Sequence, residues 1–116
     1  MTIQEFYSEI NGNYEEAKAR LMKDDRIVKY VRKFPLGEDY PTFFTSVEAG
    51  DWATAFRNVH SIKGNCLNLS MTGLADVSSR LCETIRNGAP TEDISGLIEE
   101  FKSEYKKVVD AVEKLD

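Results

Sequence analysis

Apolar residues recur in this sequence at intervals of three and four, and nowhere do they alternate with period two for long enough to build a sheet. That restricts the chain to helices packed on helices. Ile27, Val28, Val31 and Phe34 fall on one side of a helix predicted over 25–34, with Asp24 as its cap. Leu74, Val77, Leu81 and Ile85 do the same over 74–86. Ile94, Leu97, Ile98, Phe101, Tyr105, Val108 and Val112 line a long last helix opened by Thr91 or Glu92.

Breakers set the limits between these segments. The run Asn11-Gly12-Asn13 separates a short helix over 2–10 from one over 14–22. Pro35 and Gly37 break the third helix. Pro41 suits the first turn of a helix over 41–49, which Gly50 ends. Asp51 is a good cap for the helix from Trp52 to about Leu69, followed by a tight connection over 70–73. Asn87-Gly88-Ala89-Pro90 is a stop. Short connections make successive helices antiparallel. The expected fold is all-α: one domain over 1–116, an up-and-down antiparallel four-helix bundle with its core at about 24–115, and additional short N-terminal helices.

Composition removes several classes of function. A net charge of −5 argues against nucleic acid as the partner, because phosphate binding needs a basic surface. No apolar run approaches the roughly 20 residues that cross a bilayer, and the N-terminus has no signal-peptide pattern. A cytoplasmic protein without membrane contact is expected. Cys66 and Cys82 do not form a CxxC pair and read as reduced core residues. With His60 they would still lack a fourth zinc ligand, so no metal site is expected.

The chemistry concentrates on the helix that carries His60, the only histidine. At 100° per residue, Trp52, Ala55, Phe56, Val59, Ile62, Cys66 and Leu69 form an apolar stripe. His60 lies about 100° from its centre, at the edge or just outside. Residues three and four apart share a face, which puts Phe56, Arg57, Lys63 and Gly64 beside His60, with Ala53 and Leu67 a turn further out. Ala53 and Gly64 are small and leave the imidazole clear. A glycine inside a helix costs about 1 kcal/mol relative to alanine, so Gly64 calls for a reason. From Trp52 to Ala75 there is no Asp or Glu, although acids outnumber bases in the whole chain. A local positive patch around a lone imidazole suits a transient anion. Histidine titrates ordinarily near 6.5, so its neutral nucleophilic form is well populated at neutral pH. Phosphoryl transfer to and from the ring fits, with Lys63 as a mobile point charge beside the phosphoryl oxygens. No P-loop, kinase-type glycine loop or magnesium cluster is evident, so the other catalytic half must come from a partner.

The segment His60-Ser61-Ile62-Lys63-Gly64 resembles the H-x-[LI]-K-G signature of histidine-containing phosphotransfer (HPt) domains. Ala49-Gly50-Asp51-Trp52 is similar to the acidic cap that precedes that family's histidine helix, and Asn68-Leu69 falls where the family often has an N-[LI] pair. Leu74, Leu81, Cys82 and Glu83 resemble the helix that follows. The resemblance covers nearly the whole chain. It implies a four-helix bundle with an exposed phosphorylatable histidine that exchanges phosphoryl with the aspartate of response-regulator receiver domains. A sensor or hybrid histidine kinase lies upstream. His60 maps to the phosphorylated residue, Lys63 to the family's lysine and Gly64 to its glycine. Ala53, Phe56, Arg57 and Leu67 make the expected docking patch. The protein would have no cofactor of its own; magnesium would sit on the receiver. A monomer is expected. The chain departs from the pattern at Ser70, where the family usually has glycine, at Asn65 and Cys66, and at Pro35. The alternative reading is a helical binding module that docks a receiver or another signalling protein without phosphotransfer.

Overall fold

The computed structural model describes all 116 residues. It contains α1 (Ile3–Glu9), α2 (Tyr14–Leu21), α3 (Asp24–Lys33), a 3-10 turn at Phe34–Leu36, α4 (Asp39–Glu48), α5 (Trp52–Asn68), α6 (Thr72–Ile85) and α7 (Ser95–Glu113), with no strand. No helix is long and apolar enough to cross a membrane.

The last four helices close into a ring. On α4 and α7, Tyr40 stacks on Tyr105 with ring centroids 3.6 Å apart, and Phe44 faces Phe101 at 6.3 Å. Numbers rise on one helix as they fall on the other, so the two run antiparallel. Arg86, just past the end of α6, lies over Phe56 of α5, and Arg80 of α6 pairs with Glu100 of α7. One buried cluster extends from Ile3 to Ala111, so α1–α3 share the bundle's core. The ring begins at Asp39 rather than near residue 24. Pro35 turns the chain into the 3-10 segment, which separates α3 from the four helices that pack mutually.

Local chemistry moves several helix starts. Asp24 does not cap α3. Lys23 holds that position without a side-chain hydrogen bond, and the Asp24 carboxylate instead accepts from the Tyr14 hydroxyl (2.6 Å) and from Lys18 (3.0 Å). Those two donors hold it below the usual carboxylate range. The α6 helix starts at Thr72, two residues before Leu74, because the connection needs only Leu69–Met71. The α7 helix starts at Ser95, not at Thr91 or Glu92. There the Asp93 carboxylate accepts the Ser95 N–H at 2.9 Å, and Ile94 turns into the core. Pro41 sits third in α4, inside the first turn, where its missing N–H has no intrahelical partner to lose.

The end of α5 is a joint. Met71 N–H donates to Cys66 C=O (2.9 Å) and Ser70 N–H to Leu67 C=O (3.3 Å), the two bonds of a Schellman motif. Ser70 takes the left-handed position, φ 54°, that usually belongs to glycine. Its hydroxyl donates to Glu16 (2.8 Å) and accepts from Arg20 (2.9 Å), while the same Arg20 nitrogen lies 3.1 and 2.9 Å from the carbonyls of Leu67 and Asn68. Asn13 N–H donates to Ser70 C=O, Gly73 N–H to Asn11 C=O, and Tyr7 O–H to Leu69 C=O. The Asn11–Asn13 break is therefore a plug seated on the α5–α6 turn. Asn13 also caps α2.

Candidate functional site

Asp51 starts the histidine helix. Its carboxylate accepts from the Thr54 N–H (3.1 Å) and hydroxyl (2.7 Å), which hold it below the usual range. The helix then runs unbroken through Gly64 to Asn68, with His60 in its middle, side chain in solvent. Ala55, Asn58, Val59, Ile62, Cys66 and Leu69 are buried, while Trp52 and Phe56 are only half-buried. The true inner face is therefore centred farther from His60 than the apolar stripe suggests. Asn58 accounts for part of the difference. Its amide donates to Asp39 (3.1 Å), and its carbonyl lies 3.5 Å from the Ser46 hydroxyl, so a polar residue packs inward against α4. His60 points almost directly away from the core.

The residues expected around His60 divide into two groups. Phe56 lies beside it, ring centroids 5.5 Å apart. Ala53, Gly64 and Leu67 are exposed along the same line of the helix. A Cβ built on Gly64 would have no neighbour within 4 Å, so nothing packs there. Lys63 makes no ion pair or hydrogen bond and leans towards α6, where its charge acts on Cys82 and Glu83. Arg57 turns the other way, its guanidinium donating to the Thr54 hydroxyl at 3.0 Å. It stands on the expected face, but its charge is aimed along its own helix towards Asp51.

Arg86 is a cation that the reading of α5 alone missed. Its guanidinium lies 5.3 Å from the Phe56 ring centroid and pairs with Glu83 at 2.7 Å. That pairing, helped by Lys63, holds the Glu83 carboxyl below its usual range. The acid-free stretch of α5 thus faces an acid supplied by α6. The antiparallel register of α5 and α6 was the available signal, because it brings the end of α6 back beside Phe56. Cys66 and Cys82 are buried free thiols, and burial pushes both above the usual thiol range. No group of three or more His, Cys, Asp or Glu side chains gathers to hold a metal.

The arrangement presents one nucleophilic ring in the open, flanked on the α6 side by two cations and on the opposite side by a small-residue gap. The family model of the Hpt domain matches residues 3–114. Comparison with curated proteins and with solved structures found no match. The match spans nearly the whole helical chain, and the chain belongs to the Hpt domain family, the phosphotransfer modules of two-component signalling.

Proposed function

We propose that this protein carries a phosphoryl group on His60 between aspartates of receiver domains, or from a sensor or hybrid histidine kinase to such an aspartate. The observation that carries the reading is the placement of the sole histidine, in mid-helix, solvent-exposed, with open space at Gly64. A nitrogen lone pair of the neutral imidazole attacks the phosphorus of the aspartyl phosphate. The P–N bond forms as the P–O bond breaks, its electron pair leaves on the carboxylate, and the ring gives up a proton to solvent. The reverse sequence regenerates the donor.

Each neighbour has a role in this step. Lys63 is free to follow the phosphoryl oxygens as a point charge. Arg86, parked against Phe56 and Glu83, is a second cation within reach of that side of the ring. Gly64 leaves room for the partner's active-site loops. Ala53, Phe56, Arg57 and Leu67 form the surrounding contact surface. The chain supplies no ATP-binding loop, so it acts as a carrier with no cofactor of its own, and the receiver contributes the magnesium. A monomer in the cytoplasm fits this role.

The test is transfer from a phosphorylated receiver domain to the purified chain. The native protein gains one phosphoryl group and His60→Gln gains none. Transfer to His60→Gln at an undiminished rate overturns the assignment. Receiver binding that persists in His60→Ala, with no phosphate ever found on the native protein, identifies a docking module instead.

A further inference from the structure

A groove of about 440 Å³ lies between the end of α5 and the wall formed by α3 and the end of α2. Its lining divides by chemistry. Leu21, Phe34 and Leu69 pack into or against the core and make an apolar floor. Tyr30, Lys33, Asn65 and Asn68 stand exposed along the edges. An apolar bed of this size with a few polar groups above it has the make-up of a small-molecule site.

Those polar groups are unspent. The Tyr30 hydroxyl, the Lys33 ammonium and the side-chain amides of Asn65 and Asn68 make no hydrogen bond or ion pair within the protein. Arg20, at one end of the groove, is committed. Its guanidinium holds the carbonyls of Leu67 and Asn68 and the Ser70 hydroxyl, and lies 3.6 Å from Glu16. That fixes the end of the groove and leaves Lys33 as the free cation in the lining. No Asp or Glu lines it, although the chain holds 20 of them. An anion entering the groove therefore meets a point charge, a hydroxyl and two amide donors, and no carboxylate in the wall.

The groove is separate from the phosphotransfer centre. Asn65 lies about 140° around α5 from His60, and Leu69 caps the helix from inside the core. A molecule seated between them and Phe34 leaves the imidazole open. The groove also draws on positions where the chain departs from the family pattern, since Asn65 forms one edge and Pro35 makes the turn that presents Phe34 and Gly37.

We propose that this groove binds a small organic anion, an aromatic or branched apolar body with a single carboxylate or sulfonate head. The body rests on Leu21, Phe34 and Leu69, and the head meets Lys33. The site does not depend on phosphotransfer through His60.

The test uses the full chain and two probes that share one apolar body: anilinonaphthalene sulfonate and its uncharged parent, phenylnaphthylamine. In fluorescence titrations each should saturate a single site on the folded protein. The sulfonate should shift the side-chain amide signals of Asn65 and Asn68 with the same saturation curve. Lys33→Met keeps the apolar stem and drops the charge. It should weaken the sulfonate about fivefold, the scale of one exposed ion pair, and leave the uncharged probe unchanged. Gly37→Phe tests the place. Gly37 has φ −70°, open to any residue, and a Cβ there would meet only the Phe34 carbonyl, at 3.7 Å. The variant should therefore fold, narrow the groove and lose both probes. Circular dichroism and melting curves check the fold of each variant. Binding that does not saturate, signals that shift elsewhere in the chain, or full binding by folded Gly37→Phe overturns the site. Equal weakening of both probes by Lys33→Met, or of neither, overturns the anionic class of its ligand.

Discussion

Two glycines show how the same residue serves opposite ends. A Cβ on Gly12 would sit 2.6 Å from Tyr7 Cδ1 and 2.9 Å from the Ser70 carbonyl, backbone that cannot give way. Gly12→Ala should cost about 1–3 kcal/mol in chemical denaturation, the scale of overpacking. Gly64 has nothing around it. Gly64→Ala should leave the fold intact, add up to about 1 kcal/mol of stability and slow transfer by crowding the approach to His60. A loss of stability with normal transfer would contradict that. Ser78 makes a third case: its hydroxyl is buried with no hydrogen-bond partner. Ser78→Ala should raise stability by about 1 kcal/mol, because it removes a desolvated polar group that gains nothing in return. The sequence distinguished Gly64 as unusual because it interrupts an otherwise strong helical pattern. It could not distinguish Gly12 in the same way, since a glycine between two asparagines reads as an ordinary turn. The packing of the Tyr7 ring and the approach of the Ser70 carbonyl, 58 residues away, make it necessary.

Among the elements, α5 was read most fully and its surroundings least. The Asp51 cap, the run from Trp52 and the outward His60 follow from local pattern. The inner face was misplaced because Asn58 is buried by a bond to Asp39, which no hydrophobic periodicity reports. Arg86 was missed for the same reason, since it reaches the site from another helix. Hydrogen-bonded carboxylates bring a pH dependence at this scale. Asp24, Asp51 and Asp93 all sit below their ordinary value of 3.8, because hydrogen bonds in the folded state favour the ionised form. Their contribution is complete above that value and is lost as pH falls through the lower folded values. Thermal melting points should drop steeply below pH 4, and Asp51→Asn should make that drop shallower. A melting curve of the variant that keeps the native acid limb would contradict the cap.

For the molecule as a whole, helix order and the closed ring were legible because antiparallel neighbours follow from short connections. What the pattern could not carry is the N-terminal plug, where Arg20 and Glu16 reach the end of α5 and Asn11–Asn13 seat on its turn. Three of the positions at which the chain departs from the family pattern gather around that end. Ser70 is held by Arg20, Asn65 lines the groove, and Pro35 makes the turn that places Phe34 and Gly37 there. Arg20→Ala should therefore destabilise by about 1 kcal/mol, as the last carbonyls of α5 and the left-handed Ser70 lose their common donor.

The central claim is that one imidazole carries the phosphoryl group, and locating that group tests it most directly. After transfer from a phosphorylated receiver domain, the label on the native chain should be lost in acid, kept in alkali, and mapped by mass spectrometry to His60 alone. A label that is stable in acid, or one found on any other residue, would contradict the account.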